Sequence, residues 1–348
     1  MGVLWKSGCR CTADRAEHAC TERETRSREV VNAASFYRMP LRTHTPRQRR
    51  LVTAALALSA LLLPSSIFAW GAKGHRIVGG AAVGALPDSM PAFFRAAADQ
   101  LAYLNPEPDR WKARAERELD PALDGAFNAD HFLDIEMATP AVLAAALAAP
   151  HRYAFADSLR AAGVDPVAMG FLPFAMLELS QRLRQGFRMW RSAPDSSTRA
   201  WIEARILNDA GILGHYVADA SNPAHTTVHY NGWTGENPKG FATDRAFHGR
   251  FETAYVQAHI ELRDVQPRVE PNVRVLRDLR GELVAYIRRS NDQVERLYTL
   301  DRSDPWGIET TSAENKAFAS ERLAAGATML RDLWWTAWVT SAGAAERP

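Results

Sequence analysis

From Trp70 onward the apolar residues recur at intervals of three and four, the spacing of an amphipathic helix, and the pattern predicts an all-α chain. Ile77, Val78, Ala81, Ala82, Val83 and Leu86 form a first stripe, which Pro87 ends. Phe93, Phe94, Ala97, Leu101 and Leu104 form a second, predicting a helix over 90–104 behind an Asp88-Ser89 cap. Thr139-Pro140 opens an Ala/Leu-rich helix to about Ala148. Helical periodicity then returns over 171–190, 197–221, 246–262, 272–300 and 313–341, with Pro, Gly and Asp/Asn clusters between. Trp334, Trp335 and Trp338 on the last of these read as core. No stretch alternates with the period of a strand, and no repeat or linker appears, so 70–348 is expected to be one all-α domain. Two stretches lack a period. Asn105 to Trp111 holds two prolines and is predicted as a loop. Residues 223–245 form a long loop of the kind that is usually functional.

The chain has 348 residues, and its first 69 read differently. Arg47, Arg49 and Arg50 precede an apolar run from Leu51 to Leu63, followed by Pro64-Ser65-Ser66-Ile67-Phe68-Ala69. That order is the order of a secretory signal peptide, and the apolar run is shorter than the roughly 20 residues needed to span a bilayer. The expectation is a signal peptide over 39–69 starting at Met39, cleaved between Ala69 and Trp70, with 1–38 a mis-assigned start or disordered extension. The protein would then be secreted or periplasmic. Cys9, Cys11 and Cys20 all precede the cleavage point, so the exported chain would have no disulfide and would be held by its core and bound metal. The whole chain carries a net charge of +2; without 1–69 it has 31 basic against 35 acidic residues, or −4. The strong positive footprint of a duplex DNA binder is thus absent at the level of net charge.

The candidate chemistry centres on residues 214–225. His215 and Asp219 are four apart, which stacks an imidazole and a carboxylate on one helix face. Pro223 is expected to end that helix and leave His225 free to approach the same point from another direction. Imidazole with carboxylate is a zinc ligand set. His248 and Glu252 repeat the four-residue spacing after the long loop. His131 and Asp134 suit a ligand histidine whose second ring nitrogen is oriented by a nearby carboxylate. After cleavage the α-amino group and carbonyl of Trp70 could chelate a metal together with His75. Each pair alone is as well explained by a polar helix face; four clusters in one exported, Cys-free helical domain make a multinuclear zinc site the economical reading.

Taken together, Trp70-x4-His75, His131-Phe132-Leu133-Asp134, His215-x3-Asp219-x5-His225 and His248-x3-Glu252 resemble, in order, the zinc-dependent superfamily of single-strand-specific nucleases and bacterial phospholipases C. The resemblance spans the chain from Trp70. It implies an all-α domain holding three zinc ions: one on Trp70, His75 and Asp219; one on His131, His215, bridging Asp219 and a loop carboxylate; one on His225, His248 and Glu252. Asp109, in its Pro-rich turn, is taken as the loop carboxylate over Asp99, which sits on a helix. The resemblance further implies base stacking by Phe132, while Tyr230 and Trp233 could stack a nucleobase or border a choline head group.

The expected activity is hydrolysis of single-stranded nucleic acid by a zinc-activated hydroxide, with Asp219 bridging the ions and Asp109 orienting or deprotonating the nucleophile. Lys112, or Arg110, would neutralise charge in the transition state. The alternative is a phospholipase C, toward which Glu252 points because the nucleases usually carry Asp there. A non-catalytic zinc protein is the reading from a third class. A monomer with no stable protein partner is expected.

Overall fold

The computed structural model describes residues 70–121 and 127–343, and its helices follow the apolar periodicity. The principal ones are α1 Gly71–Gly84, α2 Ala92–Ala96, α3 Ala98–Leu104, α4 Leu172–Arg191 and α5 Ser196–Ser221. A helical run over 247–259 is α6, followed by α7 Leu279–Asn291, α8 Val294–Ser303 and α9 Ala313–Ala342. The described residues form an all-α domain without a β-strand. Among them no helix is long and apolar enough to cross a membrane. The signal-peptide reading, the three cysteines and 1–38 lie outside the described residues.

Helix α5 is the axis of the molecule. Asp195 caps it, accepting from the Thr198 amide at 2.8 Å, and its second half is buried without interruption from Asp209 to Ser221. A helix apolar on every side must be enclosed. Helices α1, α3, α4 and α9 do the enclosing, each packing directly on α5. Gly214 is required by this closeness, because a Cβ there would overlap the Asn105 side chain. Aromatic packing closes the far end: Phe94 meets Phe187 at 5.7 Å and Trp334 at 5.2 Å between ring centroids. Trp334 is fully buried, with Trp335 and Trp338 packed against the core.

Several boundaries differ from the periodic pattern. The predicted 90–104 helix breaks at Ala97 (φ −93°, ψ 26°), and Pro91 rather than Asp88-Ser89 occupies its N-cap without a side-chain cap. Asp88 faces Arg95 instead. Residues 272–278 are not helical, because α9 holds that backbone straight: Thr336 accepts from the Leu276 amide at 2.9 Å and Asp332 from the Arg274 amide at 3.2 Å. Helix α7 begins only after Asp278 caps Gly281, at 3.1 Å. The predicted loop from Asn105 to Trp111 contains a short helix, Glu107–Arg110. Arg114–Leu119, Arg152–Ala161 and Pro166–Met169 are further short helices that the pattern did not announce. The central turns of α6, Arg250–Tyr255, are π-helical, a distortion frequent at functional sites.

Candidate metal centre

Three buried groups of His, Asp and Glu each bring one ligand atom per residue within 4.8 Å of the others: His75, His215 and Asp219; Asp109, His131 and His215; His225, His248 and Glu252. Helix α5 supplies His215 and Asp219 to the first two groups from adjacent turns of one face. As predicted, the helix stops at Ser221, and Pro223–His225 folds back as a 3-10 turn. That turn carries His225 to within 3.4 Å of Glu252, measured Nε2 to Oε2.

Around Asp219 the distances are those of groups that face one another without bonding. Its Oδ1 lies 3.5 Å from His75 Nε2 and its Oδ2 3.3 Å from His215 Nε2. Asp109 Oδ1 lies 3.8 Å from both His131 Nε2 and His215 Nε2. The rings of His75 and His215 stack at 4.0 Å. Neither oxygen of Asp219 accepts a hydrogen bond, nor do His131 Nε2 or His215 Nε2 make one, although all are buried. Buried polar atoms are normally satisfied, and a set of orphans converging on one space calls for a partner there.

The other ring nitrogen of each histidine explains the convergence. His131 Nδ1 meets the Phe127 carbonyl at 2.9 Å, His215 Nδ1 the Asn105 carbonyl at 3.0 Å and His225 Nδ1 the His131 carbonyl at 2.8 Å. His248 Nδ1 meets the Tyr230 carbonyl at 3.0 Å. A carbonyl only accepts, so each Nδ1 donates; in the neutral imidazole each Nε2 then holds a lone pair aimed inward. This is the outer shell of a metal-ligating histidine. For His131 the orienting acceptor is Phe127, not Asp134 as the sequence suggested; Asp134 is buried nearby and makes its backbone bond to Met169 at 2.8 Å.

Electrostatics divides the site. Burial pushes the Asp109 carboxyl up to about 7 against the lowering pull of Lys112. Burial and the Asp109 charge push Asp219 well above its ordinary range. Burial also holds His131 and His215 well below the usual imidazole value. The third group is different. Glu252, despite burial, is held down to about 2 by His248 and His225, and Glu252 in turn raises His248 against the effect of burial. The His248 Nε2 to Glu252 Oε2 distance is 2.8 Å.

Trp70 is fully buried, with left-handed backbone at φ 45°, a conformation that costs a non-glycine residue on the order of 1–3 kcal/mol. Its indole donates to the Ala218 carbonyl at 2.7 Å, and its carbonyl accepts from the Gly74 amide at 3.1 Å. Its main-chain nitrogen donates to Glu252 Oε2, of the third group, at 3.1 Å. Asp99 is exposed in the first turn of α3, while Asp109 is buried. Lys112 Nζ lies 3.1 Å from Asp109 Oδ1, whereas Arg110 pairs with Glu107 and the Tyr103 carbonyl.

Phe132 is half-buried beside His131, and Tyr230 is exposed with its ring 6.0 Å from that of His248. Trp233 has a structural task in the long loop: it stacks on His229 at 3.9 Å and meets Tyr298 edge-on at 5.3 Å. Sequence reasoning missed two buried asparagines. Asn222 donates to Glu252 Oε2 at 3.2 Å and caps the Ala224 amide at 3.0 Å. Asn105 holds His215 through its carbonyl. Both carried the same signal, an Asn-Pro step at a helix end: Asn105-Pro106 and Asn222-Pro223.

The donor set, imidazole nitrogens and carboxylate oxygens with oriented outer partners, fits zinc. Set against known proteins, the chain matches no family model, no curated protein and no solved structure.

Proposed function

We propose that this chain is an exported zinc-dependent phosphodiesterase of the single-strand-specific nuclease and phospholipase C type, acting on single-stranded nucleic acid. One observation carries the reading: three buried ligand groups, two of them sharing His215, converge around a carboxylate, Asp219, whose oxygens have no hydrogen-bond partner. Three ions are expected. His75, His215 and Asp219 would hold one; Asp109, His131 and His215 another, with Asp219 against both; His225, His248 and Glu252 the third. When bound, zinc supplies Lewis-acid chemistry, acidifying water and offsetting phosphate charge. The protein's part is positional. Four main-chain carbonyls fix the imidazoles, and Asp109 stands where it can orient a nucleophile. Lys112 at 3.1 Å from Asp109 offers a cation to a phosphate oxygen. Tyr230, exposed beside His248, and Phe132, beside His131, offer ring faces to a base.

A phospholipase C is the second reading, favoured by Glu252 at the heart of the third group. Purified protein assayed with zinc on single-stranded DNA, RNA, duplex DNA and phosphatidylcholine vesicles separates the two. Hydrolysis of the single-stranded substrates is expected; cleavage of lipid alone would reject the nuclease reading, and no cleavage of any phosphodiester would reject both.

A further inference from the structure

A second concavity, none of whose lining residues belongs to the three ligand groups, opens between α7, α9 and the segment before α7. It has a volume of about 480 Å³ and continues into another of about 220 Å³, and the two share Tyr286, Arg289, Arg322 and Ala325. Arg322 is the unusual residue. It is half-buried on α9, its Nε is buried without a hydrogen-bond partner, and among the described residues no carboxylate lies within ion-pair distance. Burial and the nearby charges of Arg296 and Arg289 press its guanidinium below the usual value, with Tyr286 and Glu321 opposing. Across the groove on α7, Arg289 is exposed and also makes no ion pair among the described residues.

The acids around the groove do not neutralise this pair. Asp332 is committed to Arg331 at 2.8 Å and to the Arg274 amide, and Glu321 to Arg296 at 3.7 Å. Leaving a partly buried guanidinium such as Arg322 unpaired is costly, and with the exposed Arg289 lining the same groove two guanidinium groups are available to hold a phosphate. The volume exceeds what a bare phosphate fills and falls in the range of pockets for small organic ligands. Ala325, Met329 and the ring of Tyr286 give the groove an apolar wall, and Thr328 and Glu270 stand at its polar edge.

We propose that this groove is a second binding site, for the phosphate monoester of a small organic molecule, gripped by Arg289 and Arg322. The site is independent of the phosphodiesterase reading. Its test is calorimetric titration of adenosine 5′-monophosphate, and separately of inorganic phosphate, into the full chain with and without a chelator. Binding of the nucleotide that survives chelation is expected, weakened about tenfold or more in Arg289→Gln and in Arg322→Gln, as loss of a charge-assisted contact implies. Arg289 is exposed, so its variant leaves folding untouched and carries the test if Arg322→Gln unfolds. Nucleotide binding abolished by the chelator, or unchanged in Arg289→Gln, would overturn the assignment. Inorganic phosphate bound as tightly as the nucleotide would overturn the organic ester.

Discussion

The two halves of the candidate metal centre are built from the same residue types and solve opposite problems. In the half around Asp219, two carboxylates and three imidazoles meet at 3.3 to 3.9 Å, and both Asp219 oxygens and the Nε2 atoms of His131 and His215 make no hydrogen bond. Burial there drives Asp109 and Asp219 up and His131 and His215 down, so these four are pushed toward their neutral forms. The half around Glu252 has already made its own ion pair, at 2.8 Å, with the Trp70 amide and Asn222 adding donors to the same oxygen. Glu252 is ionised and His248 holds its proton more tightly than usual. The lesson is that the same ligand types do not mean equal need: the five residues of the first half leave several inward atoms without a hydrogen bond, whereas in the second only Glu252 Oε1 is left so, and a cation entering there must compete with an ion pair already made.

The hardest blow to this contrast is Asp219→Asn. It removes the carboxylate common to the first half and is expected to lower zinc affinity there by more than the about 10–100-fold that loss of an outer-shell partner costs. Zinc content read by atomic emission should fall while one ion is retained, and phosphodiesterase activity should go with it. Retention of every ion and of full activity would show that neither metal binding nor any activity depends on Asp219, and the proposed centre would fall. Glu252→Gln is the mirror experiment with a smaller effect. One ion is lost, those around Asp219 stay, and the His248 proton is released at lower pH, as nuclear magnetic resonance of the imidazole would show. If both variants lose the same ions, the halves are not separable.

The helix period made the paired ligands legible, because His215 with Asp219 and His248 with Glu252 need only the geometry of one turn. Pro223 likewise announced the fold-back that delivers His225. What the residue pattern could not announce is anything fixed by backbone far away in the chain. The carbonyls of Asn105 and Phe127 that aim His215 and His131 have no residue-type signature, and Asp134 was preferred only because a carboxylate is visible in a sequence and a carbonyl is not. The break at Ala97 and the straight 272–278 segment have the same origin: tertiary packing overrode a helical period. The left-handed turn at Trp70 falls on a residue type that gives no warning of it.

Acidity sharpens the contrast by a further, smaller step. A carboxyl raised by folding stabilises the metal-free protein at low pH, fully below its ordinary value of 3.8, and loses that contribution as pH rises through about 7 for Asp109. Below about pH 7 a cation must therefore displace a proton from Asp109, with the upward push on Asp219 adding to that competition, whereas around Glu252 it competes with the proton that His248 holds more tightly than usual. Zinc affinity of the first half should fall more steeply on acidification, by about one extra factor of ten per pH unit, in titrations at pH 7 and 6. Parallel curves for the two halves would erase the electrostatic difference.

The smallest expected effect tests where the first half ends. Asp99 and Asp109 are ten residues apart and chemically identical, yet one is exposed in the first turn of α3 and the other is buried between His131, His215 and Lys112. At an exposed helix start, a carboxylate interacts mainly with the helix dipole, so Asp99→Asn should change stability by no more than about 0.5 kcal/mol and leave zinc content unaltered. Asp109→Asn should instead lose metal as Asp219→Asn does. If the outcomes are exchanged, so that Asp99→Asn costs an ion and Asp109→Asn does not, the carboxylate that completes the second ligand group has been misplaced, and the raised pKa of Asp109 reflects burial alone.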